Sequence, residues 1–532
     1  MLDATVTGVR ESTRLKSMAL RVRVEAPTMV EWSASLLTAT LLILAFPDFD
    51  LVPLAWLSLV PLLLAITARP HPLRGFLLGW IAGTVFFYGS CHWLTYSMIH
   101  YGNLPAAVAY VLLVPAAAVV GLFPGFFAAL LAFSIRSWGT RAVVLSPFIW
   151  TACEWLRLEI TGQLWNAIGY SLAFHPAFIQ PARWGGVYLV GFFVVLINCV
   201  CAFALIQRNF TSVLAVVLAV ATVGAIMLVV SKQAANTETT TYLHVVAVQP
   251  NVPMTLIKSD DEMSALVTRH LTMTTDALDK VPDDGLPRLV IWPESPMNFT
   301  YATDSQFQLL LRQFAVDNHT SVLLNSLEPA PDAGGYNSAL LINEEGRLIS
   351  QYDKIRLLPF GEYVPLPHWL PGASLITAIV GDFTPGEHYT LMPIAKHHAG
   401  VFICIESAYP SIARTFSKDG ADFLINISND GYLGPTAVMR QHLANAVFRA
   451  VENGKPLLRV TNSGISGFID ASGSVRDETP SFRPATRTWS VYAVSSKTFY
   501  SNYGDIVAYS CVALTAVIVL SGVLRFRKGL QF

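Results

Sequence analysis

Gly400-Val-Phe-Ile-Cys404-Ile-Glu406-Ser-Ala-Tyr-Pro410 is a short apolar run that delivers one cysteine to a turn. Val401, Phe402 and Ile403 read as a buried strand and Ser-Ala-Tyr-Pro as a turn into a helix, which puts Cys404 at the strand's end. A strand end holds a side chain rigidly. The turn and the N-terminus of the next helix supply amide donors and a positive dipole that favour thiolate over thiol. A lone cysteine on an apolar strand is by default a packing residue, so the case for chemistry rests on what surrounds it in the chain.

On either side of this stretch the pattern is that of a soluble α/β domain. Strands are expected at Leu243–Gln249, Arg288–Trp292, Ser321–Asn325, Phe423–Ile427, Leu457–Thr461, Gly467–Asp470 and Ser490–Val494, with a hairpin over Ser338–Tyr352 turning at Asn343-Glu-Glu-Gly346. Helices are expected at Asp260–Lys280, Gln306–Asn318 and roughly Thr436–Asn453. Alternating strands and helices with several hairpins imply a layered sandwich, sheets inside and helices outside.

Two further motifs end on strands. Leu289-Val-Ile-Trp-Pro-Glu294-Ser-Pro presents Glu294 on a loop constrained by Pro293 and Pro296. Tyr352-Asp-Lys354-Ile-Arg-Leu-Leu-Pro-Phe-Gly-Glu362 puts a lysine straight after a strand and a carboxylate in a Gly/Pro-shaped loop, and Glu406 follows the cysteine by two. A thiol needs a base, and a partly desolvated carboxylate has the proton affinity for that task. A tetrahedral intermediate needs fixed positive charge near its oxyanion, which a positioned lysine supplies. Glu, Lys and Cys at separate strand ends therefore read as an acyl-transfer site.

Composition places part of the chain in lipid. Of 532 residues 53% are hydrophobic and 13% charged, with mean hydropathy +0.48; a soluble globular protein carries about twice that charge. The net charge of −1 argues against a nucleic-acid partner. Apolar runs at roughly 32–46, 52–67, 75–97, 105–134, 141–157, 186–207, 211–231 and 504–524 give about eight spans, the first two being short enough to form one hairpin or interfacial segment. Arg69, Arg74, Arg136, Arg141 and Arg208 fall in alternate loops, on the same side as the basic N-terminal arm and as Arg525, Arg527 and Lys528, with Arg157 and Arg183 as exceptions. The positive-inside rule then puts both termini in the cytoplasm and the α/β domain outside it. The expected organisation is a basic arm over 1–30, a membrane domain of about seven helices over 31–232, the extracytoplasmic domain over 233–500, and a last helix with basic tail over 501–532. No cleavable signal peptide is expected, because Phe-Pro-Asp-Phe-Asp follows the first apolar run. Cys404 is the sole cysteine of the external domain, so no disulfide forms within it; the other cysteines fall in apolar runs.

Trp-Pro-Glu294, Asp-Lys354…Pro-Phe-Gly-Glu362 and Cys404-Ile-Glu406 resemble the Glu-Lys-Cys signature of the nitrilase, or carbon–nitrogen hydrolase, superfamily. With the flanking membrane helices, the chain resembles the membrane-embedded apolipoprotein N-acyltransferase family of that group. Val248-Gln-Pro-Asn251-Val-Pro253, Ser428-Asn429-Asp430-Gly-Tyr-Leu-Gly434, the stretch from Arg449 to Asn462 and the loop Gly162-Gln-Leu-Trp165-Asn-Ala-Ile-Gly169-Tyr170 belong to the same likeness. The resemblance implies an αββα sandwich with Glu294 as general base, Lys354 as oxyanion stabiliser and Cys404 as nucleophile. It makes Glu362, Glu406 and Asn429 supporting residues. It also implies a phospholipid acyl donor, a diacylated apolipoprotein acceptor, a bacterial inner-membrane setting with a periplasmic catalytic domain, and no metal or cofactor. The chain departs from the family pattern at Ile405, where an aromatic residue is common, at Tyr432-Leu433 in place of Trp-Phe, and at Ile257-Lys258, where a tryptophan is common.

About eight membrane helices suit a substrate that never leaves the bilayer. The apolar stretch Tyr363–Phe383 is expected to dip into the leaflet as a lid, with Trp369 at headgroup level and Leu375 and Ile376 inserted. Two alternatives stand beside this. A membrane-tethered amidase or nitrile hydrolase shares the triad but lets water finish the reaction. A transporter with an external sensing domain would use His92, Glu154 and Glu159 as a polar path.

Overall fold

A computed structural model describes residues 26–162, 164–234, 240–254, 259–331, 334–359, 361–363, 383–492, 494 and 497–527. Four of its helices are long and apolar enough to cross a membrane: Ala106–Trp138, Ala182–Gln207, Phe210–Val229 and Ile506–Arg525. The expected runs 32–46, 52–67, 75–97 and 141–157 fall on the helices Met29–Ala45, Val60–Ala68, Pro72–Ser90 and Ser146–Thr161, of 17, 9, 19 and 16 residues. Thr28 and Glu31 cap the first of these reciprocally, and Glu31 also meets Arg69 at 2.7 Å and Arg74 at 3.6 Å. Two of the loop arginines that suggested orientation thus also tie the ends of neighbouring helices together.

Small residues set the closest helix contact. Gly75, Gly79 and Gly83 recur every turn along Pro72–Ser90 and face Ala128, Pro124 and Gly121 of Ala106–Trp138; a Cβ on Gly79 would stand 2.2 Å from the Pro124 carbonyl oxygen. Backbones this close gain dispersion contact without needing a hydrophobic driving force that lipid cannot give. Asn198, buried on Ala182–Gln207, accepts from Leu59 N at 2.8 Å and donates to Ala55 O at 2.9 Å, holding the start of Val60–Ala68.

After the helix Phe210–Ala234 the described residues form twelve strands: β1 Thr241–Gln249, β2 Arg288–Ile291, β3 Ser321–Pro329, β4 Gly335–Ile342, β5 Leu348–Asp353, β6 Leu391–Ile394, β7 His397–Ile403, β8 Phe423–Ser428, β9 Leu457–Thr461, β10 Gly467–Ile469, β11 Val475–Arg476 and β12 Ala485–Tyr492. They make two six-stranded sheets, ordered β12-β1-β2-β3-β4-β5 and β11-β10-β9-β8-β7-β6. Alternation along each strand builds the layers. Val245, Ala247, Leu289, Ile291, Leu323 and Leu341 enter the core shared by the two sheets, whereas Val246, Val248, Val290, Val322 and Leu340 pack under the helices Asp260–Leu278 and Ser305–Asp317.

The second sheet is covered by the helices Pro410–Asp419 and Val438–Asn453. The latter is buried at every residue but Arg440, because membrane-domain helices close its far side. β6 and β11 were not expected from sequence, and β12 begins five residues earlier than expected. All three are at or next to sheet edges, where half the strand faces water and the apolar run shrinks to scattered residues.

Candidate active site

Three strand ends meet between the sheets. β2 leads through Trp292 and Pro293 to Glu294, β5 leads to Lys354, and β7 leads to Cys404. Cys404 opens a 3₁₀ turn, Cys404–Ala408, with φ of +52°. A non-glycine residue in this left-handed region carries about 1–3 kcal/mol of strain, which the surrounding contacts must hold.

Lys354 is 1% exposed and lies between two carboxylates, with Nζ 2.8 Å from Glu362 Oε1 and 3.6 Å from Glu294 Oε1. Burial pushes its pKa down, but Glu362 and Glu294 outweigh that and hold the ammonium well above the usual lysine range. Glu294 accepts from Asn337 Nδ2 at 2.9 Å and from the Asn429 backbone N–H at 3.0 Å. Glu362 accepts from Asn337 Nδ2 at 2.7 Å and Leu358 N at 2.7 Å. The supporting role expected for Asn429 thus falls to its backbone amide, while its side chain accepts from Asn462 and Gly431.

Glu406 does not face the lysine's ammonium. Its Oε1 accepts from Ile355 N at 2.8 Å and Arg356 N at 3.0 Å, its Oε2 from Ile403 N at 2.7 Å, and both from Tyr352 OH. One carboxylate thereby joins the chain just after Lys354 to the chain just before Cys404 and sets their separation. Burial pushes Glu406 up to about 7, against the pull of these donors. A carboxyl whose folded pKa is raised binds protons more tightly folded than unfolded, so stability holds or rises as pH falls through this range. The protonated group can no longer accept at every position. Activity is therefore expected to fall on the acid side through a limb near 7 while the melting temperature does not. Parallel pH profiles of turnover and melting check this, and an acid limb below about 5, the range of an ordinary carboxyl, would contradict it.

One expectation is corrected. Cys404 is 4% exposed, and burial together with Glu294 pushes its thiol far up, with Lys354 opposing. The α-helix that was to favour thiolate starts only at Pro410, beyond the 3₁₀ turn. At rest the Cys404 side chain is a thiol rather than a thiolate.

Sequence reading missed Asn337 and Asn325. Asn325 Nδ2 donates to Asn337 Oδ1 at 2.7 Å, which turns the Asn337 amide nitrogen toward both carboxylates. The signal was a polar residue inside each of two strands with apolar runs, which carries meaning only once β3 and β4 are paired. Trp369, Leu375, Ile376 and Lys258 lie outside the described residues. Tyr432 and Leu433 sit where the site meets the membrane domain: Ser97 Oγ donates to Tyr432 O at 2.8 Å, and Gly434 lies against the Tyr96 ring. Glu154 accepts from Ile168 N at 2.8 Å and Gly191 lies beside its carboxylate, so it closes a turn within the bundle. Among the described residues no His/Cys/Asp/Glu group has the arrangement of a metal site.

A two-sheet sandwich that buries a lysine between carboxylates beside a strand-end cysteine defines the carbon–nitrogen hydrolase class of enzyme. Residues 263–490 match the carbon-nitrogen hydrolase family model, and residues 38–200 match that of the apolipoprotein N-acyltransferase N-terminal domain. The chain is 31% identical to an apolipoprotein N-acyltransferase of Geobacter metallireducens, over 94% of this chain and 96% of that one. It is 30% identical to the Haemophilus influenzae apolipoprotein N-acyltransferase, over 90% and 92%. Nit3 of Saccharomyces cerevisiae, a nitrilase-superfamily member of known structure, is similar at 20% identity, over 48% of this chain and 91% of that one, with a TM-score of 0.37. The protein belongs to the apolipoprotein N-acyltransferase family.

Proposed function

We propose that this protein carries an acyl chain from a phospholipid to the α-amino group of a diacylglyceryl-cysteine at the N-terminus of a lipoprotein. It does so in a bacterial inner membrane with the catalytic domain on the periplasmic side and both termini cytoplasmic. The observation that carries the reading is the buried Lys354, held charged between Glu294 and Glu362 beside the Cys404 turn, in a domain seated on apolar helices.

Glu294 takes the proton of the Cys404 thiol as the sulfur attacks the ester carbonyl of the donor. The oxyanion forms toward the Lys354 ammonium, whose charge needs no reorganisation at that moment. The C–O bond breaks, Glu294 returns its proton to the departing oxygen, and a lysophospholipid leaves. The acyl group remains as a thioester, which amines attack readily while apolar surroundings keep water away. The lipoprotein amine then attacks the thioester carbonyl and Glu294 accepts its proton; the C–S bond breaks as Glu294 passes that proton to the sulfur, and the thiol is restored as an amide forms.

Intact-mass spectrometry of the protein in phospholipid micelles, before and after addition of a diacylated lipopeptide, tests both halves. The expected result is one added acyl mass that the lipopeptide discharges into an amide product. An adduct that water clears at the same rate with and without lipopeptide would make the protein a hydrolase.

A further inference from the structure

His442 lies on the helix Val438–Asn453, 2% exposed, and takes no part in the proton transfers above. Both ring nitrogens face acceptors: Nδ1 is 2.7 Å from Asp430 Oδ1 and Nε2 is 3.0 Å from the carbonyl oxygen of Cys404. Asp430 is held well below the usual carboxylate range despite burial, because His442 and Arg459 face it; Arg459 Nη2 is 2.7 Å away, and Ser428 Oγ donates at 3.0 Å. A neutral imidazole has one N–H, so it would turn a lone pair toward one of these two oxygens. Only the imidazolium donates to both.

The carbonyl it meets belongs to the strained residue. The peptide plane after Cys404 determines how its left-handed backbone is held, and that carbonyl is grasped by His442 Nε2 and, at 3.4 Å, by Asn426 Nδ2. The helix turn bearing His442 is itself fixed from the membrane side. Gln441 Oε1 accepts from the indoles of Trp93 at 3.0 Å and Trp165 at 2.8 Å, and its Nε2 donates to Pro47 O at 3.1 Å and Ser90 O at 2.9 Å. The Trp165 ring also lies 5.6 Å from the imidazole, centroid to centroid. The membrane domain thus holds the group that holds the cysteine.

We propose that His442 is a positioning residue for acyl transfer: braced by Asp430, it pins the Cys404 carbonyl and keeps the thiol beside Lys354 and Glu294. This rests on Cys404 as the nucleophile. Burial and the Arg459 guanidinium hold the His442 pKa below that of an ordinary imidazole, although Asp430 and the Cys404 carbonyl oppose them. The charged and titratable groups around the ring are Asp430 from the turn after β8, Arg459 from β9, and Cys404 with Lys354 and Glu294 beyond it; the membrane domain presents the Trp165 indole.

His442→Ala is expected to lower the single-turnover rate of Cys404 acylation about 30-fold or more, as a small misplacement of a reacting group does, with the donor KM within about twofold. His442→Gln, which keeps one N–H for the carbonyl, is expected to recover most of that loss. Acylation by folded His442→Ala within about threefold of wild type, or a loss that appears in KM alone, would overturn the proposal. Should His442→Ala not fold, Asp430→Asn decides, because it keeps the shape and removes the charge that braces the ring. Its single-turnover acylation rate is expected to fall about tenfold or more with the donor KM within about twofold. An acylation rate within about threefold of wild type, or a loss in KM alone, overturns the proposal. Failure of wild type to acylate at all would count against Cys404 itself, a separate result.

Discussion

Cys404→Ala is expected to end acyl-adduct formation altogether and to lower turnover by at least about 10⁴-fold, while the fold survives. The side chain sits on the first residue of the turn after β7 and its sulfur meets the Ser428 hydroxyl, which keeps Asp430 Oδ1 as a partner without it; the contacts holding the turn go to the backbone carbonyl, from His442 and Asn426. Removing one buried atom of this size costs about 1 kcal/mol. The loss is therefore chemical, and intact mass with a melting curve separates the two effects. Cys404→Ser sharpens the point. The thiol is already held protonated by burial and by Glu294, and a hydroxyl in its place is harder still to deprotonate, so the serine variant is expected to accumulate no thioester-like intermediate and to turn over about 10³-fold more slowly. The other cysteines at 91, 153, 199, 201 and 511 lie in or beside membrane-domain helices, away from the Glu294–Lys354 cluster. An adduct that persists on the alanine variant would mean that one of them, or a hydroxyl, carries the acyl group.

Much of this fold is legible in the chain because its core strands are apolar on both faces. β1, β2, β3 and β7 each have one side chain set toward the opposite sheet and the other under a helix or turn, so they appear as continuous apolar runs between turn residues. The edges were less legible, β6 and β11 most of all, since water on one side removes the signal. The candidate site follows the same logic. Glu294, Lys354 and Cys404 stand at the ends of such runs next to Pro and Gly, where chemistry-bearing residues are conspicuous. Asn325, Asn337, Asp430 and His442 are not conspicuous, because a buried polar residue has meaning only through its partner, and each partner here is distant in sequence: Asn337 reaches Glu294, and His442 reaches Cys404. The resting charge of the thiol was misjudged for a related reason. Local sequence names the turn, but the depth of burial comes from both sheets together.

Lys354→Met is expected to damage stability and turnover by different routes, and a second substitution separates them. Methionine fills the stem's volume but leaves Glu294 and Glu362 facing each other, bridged only by the Asn337 amide. Removing one member of a buried charged cluster costs about 3–5 kcal/mol, because the remaining charge is uncompensated. Adding Glu362→Gln removes one negative charge while keeping an acceptor oxygen for one of the two donors, Asn337 Nδ2 and Leu358 N, so the double variant is expected to regain about half of the lost stability. It should regain no turnover. If Lys354 serves to receive the oxyanion, its absence costs about 10³-fold in acylation whatever the state of Glu362, since no other buried cation touches Glu294 among the described residues. A double variant that melts near wild type yet fails to acylate would assign the lysine to the reaction; one that recovers acylation together with stability would reduce it to a structural counter-ion for the two carboxylates.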